Sequence, residues 1–244
     1  MSGSALLKPS ATELLKQSGT ELKIGGLTRL SSCDWPGQLA ATVFCQGCAW
    51  DCPYCHNPDL RAIEAKQSLP WASVRGFLHT RKGLLDAVVF SGGEPLLQPV
   101  LSDVVAEVRT LGFRIGLHTT GMLPERFTAL LPLLDWVGFD VKAPLANYAS
   151  ITGVERSGDK AFTSLRSLLT CGISYEVRTT LHPALLGMDE MLFLKDELLR
   201  EGVTNFVVQH FRPQGCRADR LSAGYAVPIL PANYGNGFQQ FQVR

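Results

Sequence analysis

Six short apolar segments, separated by longer stretches of mixed polarity, limit what this chain can fold into more than any other feature. Strands that alternate with helices predict βαβ units and a parallel sheet, and segments this apolar do not suit an antiparallel sheet with one face in water. The strand-like segments are Leu39–Phe44, Ala87–Phe90, Arg114–His118, Trp136–Val141, Ser174–Thr180 and Asn205–Gln209. Apolar residues recur at helical spacing at Val100, Val104, Val105, Val108 and Leu111, at Phe162, Leu165, Leu168 and Leu169, and at Met191, Leu194 and Leu198. The sequence therefore predicts an α/β fold with about six βα units, fewer than the eight of a closed barrel.

Four of the seven cysteines lie close together, at Cys45, Cys48, Cys52 and Cys55, directly after the first predicted strand. Clustered reduced thiolates indicate a metal or iron–sulfur site. All four together have the spacing C-x2-C-x3-C-x2-C, which a structural zinc site could use. Zinc sites of this kind usually hold their two C-x2-C pairs about a dozen or more residues apart, so a separation of three residues favours one loop around one compact cluster.

The last three of these cysteines have the spacing C-x3-C-x2-C and carry a chemical consequence of their own. A cubane cluster has four irons, so three thiolates leave one iron without a protein ligand. Clusters that only transfer electrons are normally closed by four cysteines, and an open position on a metal is where a substrate or cofactor binds. This loop is typical of a site that passes an electron to a bound molecule.

The C-x3-C-x2-C motif, with Tyr54 before its last cysteine, resembles the signature of the radical S-adenosylmethionine superfamily. The longer string Cys-Pro-Tyr-Cys-His-Asn-Pro, which ends at Pro58, is more narrowly similar to the activating enzymes of glycyl radical enzymes. Within that group the sequence most resembles anaerobic ribonucleoside-triphosphate reductase activating proteins and pyruvate formate-lyase activating enzymes. The resemblance runs from about residue 24 to about residue 212. It implies a partial (β/α)6 TIM-like barrel that is open on one side, and a 4Fe-4S cluster on Cys48, Cys52 and Cys55.

Other unusual stretches lie at strand ends, where α/β folds place their active sites. The resemblance implies that Gly92, Gly93 and Glu94 hold the amino group of S-adenosyl-L-methionine, with Thr119 following the next strand. Taken alone, a Gly-Gly pair also suits a plain strand-to-helix turn. The family more often has Asp and Asn where this chain has His118 and Thr120, so a carboxylate role at that point is in doubt.

The later strands supply the remaining predicted cofactor contacts. The resemblance assigns Asp140, Val141 and Lys142 to the methionine and ribose parts of the cofactor, places Arg178 nearby and gives the adenosine part to His210. It also places Tyr54 and His56 at the cofactor. A salt bridge between Asp140 and Lys142 is the alternative reading. Because a buried arginine needs a partner, Glu176, on the same strand face, is expected to pair with Arg178.

Composition sets limits on domains, partners and location. A net charge of +1 gives no indication of nucleic-acid binding, and no apolar run approaches the roughly 18 residues of a membrane span. Without an export signal, the cytoplasm is the expected location. We expect a flexible segment at residues 1–23, a radical S-adenosylmethionine domain at 24–216 and an irregular segment at 217–244. The scattered residues Cys33, Cys171 and Cys216 are expected to be inert.

The resemblance implies a reaction as well as a fold. The cluster would pass one electron to S-adenosyl-L-methionine, and the resulting radical would remove a hydrogen atom from a glycine of a partner glycyl radical enzyme. The expected partner is an anaerobic ribonucleoside-triphosphate reductase, and the expected electron donor is of the flavodoxin or ferredoxin type. Three alternatives stay open: a pyruvate formate-lyase-type partner, a radical enzyme acting on a small molecule, and a zinc-stabilised binding protein.

Overall fold

The structure, a computed structural model, describes residues 21–64, 68–216, 221 and 229–244. Its centre is one sheet of eight strands that lie side by side in chain order. Strands β2 to β8 run parallel, and β1 is antiparallel to β2. The strands are β1 (Ile24–Ser31), β2 (Ala40–Cys45), β3 (Ala87–Gly92), β4 (Arg114–Thr119), β5 (Trp136–Asp140), β6 (Ser174–Leu181), β7 (Asn205–His210) and β8 (Gln240–Val243). Since β1 and β8 are the two edges, the predicted partial barrel, open on one side, is confirmed.

Six helices connect or flank the parallel strands. They are α1 (Trp71–His79), α2 (Leu101–Thr110), α3 (Pro124–Leu130), α4 (Tyr148–Thr152), α5 (Ser157–Thr170) and α6 (Met188–Glu201) in the described part of the chain. The apolar spacing predicted α2, α5 and α6. It did not predict α3 and α4, which are too short for a periodicity argument. Helix α1 was overlooked, although Trp71, Val74 and Leu78 recur there at helical spacing.

The six predicted strands correspond to β2 to β7, each within two residues of the expected ends. Two strands were missed. Strand β1, with the sequence Ile-Gly-Gly-Leu-Thr-Arg-Leu-Ser, alternates poorly and has two glycines, which are depleted in strands. Strand β8, Gln-Phe-Gln-Val, is mostly exposed and follows a stretch rich in glycine and proline.

Both predicted domain boundaries need correction. Residues 1–20 of the segment expected to be flexible lie outside the described residues, but Leu22 is buried and the main-chain N–H of Lys23 donates to Gln98 Oε1 at 3.0 Å. The chain is therefore part of the packed domain by Leu22. In the segment 217–244, residues 217–220 and 222–228 lie outside the described residues. Residues 240–243 form β8, so that part of the segment is not irregular.

Alternation along the strands sorts side chains between the barrel interior and the outer core. The interior begins with a small apolar cluster of Trp35, Ala40, Ala87, Val89 and Trp136, in which the two tryptophan rings stack 5.5 Å apart. Most of these residues lie at the amino ends of their strands. The loop of residues 32–39, which we call the floor loop, thus closes the lower end of the barrel and leaves the upper end for polar side chains.

No helix among the described residues is long and apolar enough to cross a membrane.

Candidate active site

The carboxyl ends of the parallel strands surround a cavity of about 570 Å³. Parallel strands bring all of these ends to one edge of the sheet, which is why residues far apart in sequence meet here. The predicted site residues that line the cavity are Cys48, Cys52, Tyr54, Cys55, His56, Gly92, Gly93, Thr119, Asp140, Lys142, Arg178 and His210. Glu94 and Val141 are the two predicted residues that do not line it.

The residues Cys48, Cys52 and Cys55 lie within residues 46–62, which we call the cysteine loop, and hydrogen bonds close this loop at its neck. The N–H of Gly47 donates to the carbonyl of Leu60 at 2.7 Å, and the N–H of Cys48 donates to that of Arg61 at 3.1 Å. The side chain of Gln46 reinforces the same neck. Its Nε2 lies 3.1 Å from the carbonyl oxygen of Asp59 and 2.5 Å from that of Ala62.

A second glutamine, Gln98, binds the main chain of Gln46. Gln98 Nε2 donates to the carbonyl of Gln46 at 2.6 Å, and Gln98 Oε1 accepts from the N–H of Lys23. Both glutamines are almost completely buried. Buried amides that donate to main-chain carbonyls favour one geometry, because a rearrangement would leave these polar groups unsatisfied. The neck of the cysteine loop is therefore set by the protein core.

Side-chain direction separates Cys45 from the other three cysteines. Cys48, Cys52 and Cys55 are partly buried and line the cavity, whereas Cys45 is fully buried in the outer core. Cys45 is the last residue of β2, one position after Phe44, which lines the cavity. Because successive strand side chains face opposite sides, Cys45 faces away from the cavity. The geometry supports the three-cysteine spacing.

Burial raises the pKa of Cys48 and of Cys52, the latter to about 11 although Lys142 opposes the shift. Binding iron as a thiolate therefore releases a proton from each of these thiols.

Within the described residues, no three or more His, Cys, Asp or Glu side chains converge as ligands of a single metal ion. A zinc ion would require its thiolates within about 2.3 Å of one point.

Two glycines at the end of β3 allow close packing of the main chain, Gly93 against the cysteine loop and Gly92 against the end of β2. A Cβ at Gly93 would lie 2.3 Å from the carbonyl oxygen of Gly47 and 2.8 Å from that of Leu60. A Cβ at Gly92, where φ is +113°, would lie 2.5 Å from main-chain atoms of Cys45. Only glycine tolerates such approaches. Both residues also line the cavity, so their predicted contact with the cofactor stays a prediction.

Glu94 is completely buried and joins the ends of β3 and β4. Its carboxylate accepts from Thr119 Oγ1 at 2.7 Å, from Thr120 N at 2.9 Å, from Thr120 Oγ1 at 2.7 Å and from Leu96 N at 3.1 Å. Burial raises the pKa of Glu94, although the bonds from Thr120 and Thr119 oppose the shift. The structure thus gives this side chain an organising role, and its predicted contact with the cofactor amino group stays a prediction.

A partly buried ionic triad lies at the end of β5 and on β6. Lys142 Nζ lies 3.0 Å from Asp140 Oδ2, and Arg178 Nε lies 2.9 Å from Asp140 Oδ1. Burial favours the protonated acid, but Arg178 and Lys142 outweigh it and hold the pKa of Asp140 well below its ordinary value. Burial likewise opposes the charge on Lys142, and Asp140 raises the pKa of this lysine above its ordinary value.

The expected pairing of Arg178 with Glu176 was wrong. Glu176 lies on the same strand face, but it pairs with Arg244 after β8, and Arg178 pairs with Asp140. The reason is strand register, since Asp140 is the residue directly opposite Arg178 on the neighbouring strand. Directly opposed side chains on adjacent parallel strands are closer than positions i and i+2 of one strand, which are about 6.6 Å apart.

His118 takes the place where the family more often has an acid. Its Nε2 lies 2.7 Å from the carbonyl oxygen of Asp34, which can only accept, so Nε2 carries the proton. Its Nδ1 then accepts from Ser91 Oγ at 3.2 Å. Burial, with a contribution from Arg178, lowers the pKa of His118 to about 3. This position presents a neutral ring to the cavity where a carboxylate would present a charge.

The remaining predicted cofactor contacts, Tyr54, His56 and Val141, lie in three different environments. Tyr54 is buried, with Lys142 Nζ 5.6 Å from its ring centre. His56 Nε2 lies 2.9 Å from the carbonyl oxygen of Arg212, and burial lowers the pKa of this histidine. The side chain of Val141 is in the hydrophobic core, so a cofactor contact there would have to come from its main chain.

Comparison with known proteins identifies the family of this site. The profile of the radical SAM superfamily matches residues 42–192, which include the three cavity cysteines and all strands from β3 to β6. The chain belongs to the radical SAM superfamily. Radical SAM enzymes use a 4Fe-4S cluster and S-adenosylmethionine, and this chain is homologous to enzymes that activate glycyl radical enzymes.

Two relatives illustrate that homology. A protein of Methanocaldococcus jannaschii, named as a candidate glycyl-radical enzyme activating enzyme, is 27% identical over 201 residues, which are 78% of this chain and 80% of that protein. The pyruvate formate-lyase-activating enzyme of Clostridium pasteurianum is 30% identical over 174 residues, which are 69% of this chain and 72% of that enzyme.

Solved structures share the fold at low sequence identity. SuiB of Streptococcus suis, bound to S-adenosylmethionine, superimposes with a TM-score of 0.61 at 13% identity over 82% of this chain. The match covers 48% of SuiB, so this chain spans about half the length of that protein. QueE from Escherichia coli gives a TM-score of 0.53 at 15% identity, covering 85% of this chain and 91% of QueE. These likenesses confirm the radical SAM fold.

The residues of the cavity fit the cofactors of radical SAM enzymes. Three thiols from one loop supply donors of the type that iron–sulfur clusters take. Tyr54 and His210 line the cavity, and the Tyr54 hydroxyl and His210 Nδ1 are buried with no hydrogen-bond partner among the described residues. Unsatisfied buried polar atoms cost about 1–3 kcal/mol each. A polar ligand in the cavity would supply the missing partners.

Several cavity residues of this radical SAM domain were missed or misjudged from the sequence. Asp34 and Cys33 reach the cavity from the floor loop, and Cys33 is exposed, not buried as expected of an inert cysteine. Arg212 and Arg244 line the cavity from the segments after β7 and β8. Turn composition around Asp34 gave no functional signal, and Arg244 follows a strand that the sequence did not reveal.

Proposed function

We propose that this protein activates a glycyl radical enzyme, using S-adenosylmethionine and a 4Fe-4S cluster held by Cys48, Cys52 and Cys55. The observation that carries the proposal is the arrangement of these thiols. Three of the four clustered cysteines face one cavity, and Cys45 faces the outer core. That arrangement leaves one iron of a cubane for a ligand other than protein.

When bound, the cluster on Cys48, Cys52 and Cys55 and the S-adenosylmethionine beside it would supply the difficult chemistry, the one-electron reductive cleavage of the sulfonium. The chain supplies binding and orientation. In this proposal Lys142 and Arg178 hold the cofactor carboxylate, and Asp140 keeps both cations in position. Tyr54 and His210 satisfy their buried polar atoms on the cofactor, and Gly92 and Gly93 admit it close to the main chain.

The cavity walls also protect a reactive intermediate. Phe44, Trp50 and Tyr54 place aromatic surface around the cavity, and the last two are nearly fully buried. Neutral His118 adds no charge that would retain water. Exclusion of water prevents side reactions of reactive species. The hydrogen of a partner glycine would then be the nearest suitable donor.

The opening between β1 and β8 supports a protein substrate, because a loop of a partner can enter there. The partner predicted from the sequence is an anaerobic ribonucleoside-triphosphate reductase. A pyruvate formate-lyase-type partner is the second candidate, favoured by the Clostridium pasteurianum relative. We expect a flavodoxin- or ferredoxin-type protein to deliver the electron, and an oxygen-poor cytoplasm to be the location.

The test is anaerobic reconstitution with iron and sulfide, followed by incubation with S-adenosylmethionine, a reductant and each candidate partner in turn. A glycyl radical signal in electron paramagnetic resonance, with one 5′-deoxyadenosine formed for each radical, is the expected result. With a partner deuterated at glycine, deuterium should appear in the 5′-deoxyadenosine. The matched control is Cys52→Ala against Cys171→Ala, since Cys171 is exposed and does not line the cavity.

The alternatives predict other outcomes. A small-molecule radical enzyme would cleave S-adenosylmethionine but give no glycyl radical with either partner. A zinc-stabilised binding protein would take up one zinc per chain and no sulfide. Each of these results would overturn the proposal.

A further inference from the structure

The buried charges inside the barrel form a row whose pairing has two possible patterns. Arg178 is bound to Asp140 through Nε, and its guanidinium extends beside Gly138, where Arg178 Nη2 donates to the Gly138 carbonyl oxygen at 3.3 Å. A Cβ at Gly138 would lie 2.7 Å from Arg178 Nη1. The register partner of Gly138 is Glu176. The guanidinium of Arg178 therefore lies level with a second carboxylate, that of Glu176.

That second carboxylate is occupied by another arginine. Glu176 is almost fully buried, and among the described residues its ion pair is with Arg244. The main chain holds Arg244 in place, since its N–H donates to the carbonyl of Val208 at 3.0 Å and its carbonyl accepts from His210 N at 2.8 Å. Both bonds continue the pairing of β7 with β8. The position of Arg244 is thus set by the sheet.

A buried carboxylate without a cation is costly, so it will take whichever cation can reach it. If Arg244 did not neutralise Glu176, the nearest cation in the row would be Arg178, two residues along the same strand face. Arg178 would then divide its bonds between Glu176 and Asp140. Asp140 would be left to Lys142, and the charge pattern at the cavity wall would change.

We propose that Arg244 is a positioning residue that decides the partner of Arg178. By pairing with Glu176, it leaves Arg178 to Asp140 and so maintains the triad with Lys142 at the cavity wall. This inference rests on the proposed role of Lys142 and Arg178 in binding S-adenosylmethionine. It assigns a role to a residue outside the matched family region, which ends at residue 192.

The experiment measures the dissociation constant of S-adenosylmethionine by anaerobic equilibrium dialysis with the reconstituted protein. R244M should raise the dissociation constant about tenfold, the size expected when a hydrogen bond to a charged group is lost or misdirected. The double variant E176Q/R244M removes the competing carboxylate as well, so its dissociation constant should return to within about threefold of wild type. R244K, which keeps the charge, should also stay close to wild type.

The control for charge alone is R212M, which removes another cavity arginine that has no ion pair with Glu176. It should raise the dissociation constant less than R244M does. Wild-type affinity in R244M would overturn the inference, as would a double variant as weak as R244M, because the loss of affinity would then not depend on an unpaired Glu176 carboxylate. If R244M does not fold, a tenfold loss of affinity in the double variant overturns it.

Failure of this inference is distinguishable from failure of the proposed function. A wild-type protein that binds S-adenosylmethionine but places no glycyl radical on a partner would contradict the proposed function and leave the pairing of Arg244 untouched. Thermal unfolding of each variant shows whether a change in affinity accompanies a loss of stability.

Discussion

The neck of the cysteine loop allows a sharp test of how the protein core holds a cluster site. Gln46→Leu keeps the approximate size of a buried side chain and removes its amide. The carbonyls of Asp59 and Ala62 then lose the Nε2 donor that holds them. The main-chain bonds of Gly47 and Cys48 across the neck are left without this support.

The size of the effect follows from those two bonds. A buried acceptor left without a donor costs about 1–3 kcal/mol. Water can reach one side of the loop, so we take the lower part of the range for each and expect a total of about 2–4 kcal/mol. Since 1.4 kcal/mol is a factor of ten, the neck should open about 30 to 700 times more often.

Hydrogen exchange measures this opening directly, because main-chain amides exchange only when their bonds break. In the anaerobically reconstituted protein, the Gly47 and Cys48 amides should exchange faster by that factor in Gln46→Leu. Amides of β5, on the far side of the sheet, should keep wild-type protection. Iron release to a chelator should accelerate in the same variant, because each opening of the neck allows Cys48 to move away from Cys52 and Cys55.

The matched control is Gln239→Leu, an exposed glutamine just before β8. It should change neither exchange at the neck nor iron release. Unchanged exchange at Gly47 and Cys48 in Gln46→Leu would refute the reasoning. Equal acceleration of every amide would do so as well, because it would show that Gln46 stabilises the whole domain and not this neck.

Three further predictions follow from single positions. Cys45→Ala should retain four irons per chain after reconstitution and Cys52→Ala should not; iron loss in Cys45→Ala would contradict the assignment of its side chain to the core. Gly93→Ala, whose Cβ would meet main-chain oxygen, should lose about 1–3 kcal/mol in chemical unfolding, whereas Gly76→Ala, with open space around it, should lose nothing. Burial raises the pKa of Glu94, so protonation of its carboxylate stabilises the folded protein. This stabilisation is complete below the ordinary pKa of 4.5 and is lost as pH rises through the pKa that Glu94 has in the folded protein. Between pH 7 and pH 5 the wild type should therefore gain stability relative to Glu94→Gln, and an equal or smaller gain would show that the carboxylate is not desolvated.

The strands of the sheet were predictable because their signal is local. Runs of β-branched and apolar residues place β2 to β7 within two residues, and the carboxyl-end rule then collects the cavity residues. Strands β1 and β8 were not predictable in this way, since each is an edge. An edge strand packs less of its surface, and its sequence is correspondingly free of the apolar pattern.

Alternation along a strand also predicts on which face each residue lies, but this rule was not applied to Cys45. The cysteine loop begins after Cys45, and parity from Phe44 places Cys45 on the outer face. For Glu94, sequence reasoning identified the residue but not its environment. Four donors from three residues surround its carboxylate. No local sequence pattern predicts a partner such as Thr119, which lies 25 residues away.

The pairing of Arg178 shows why side-chain partners are harder to predict than strands. Sequence spacing finds Glu176 because both residues lie on one face of one strand. The register of β5 against β6 instead brings Asp140 opposite Arg178, and β8 brings Arg244 to Glu176. Both outcomes depend on which strands are neighbours and how they are aligned, and one of those strands was missing from the prediction. The partner of a buried charge depends on how the strands are aligned, so the ion pairs of this region include residues, such as Arg244, that no motif contains.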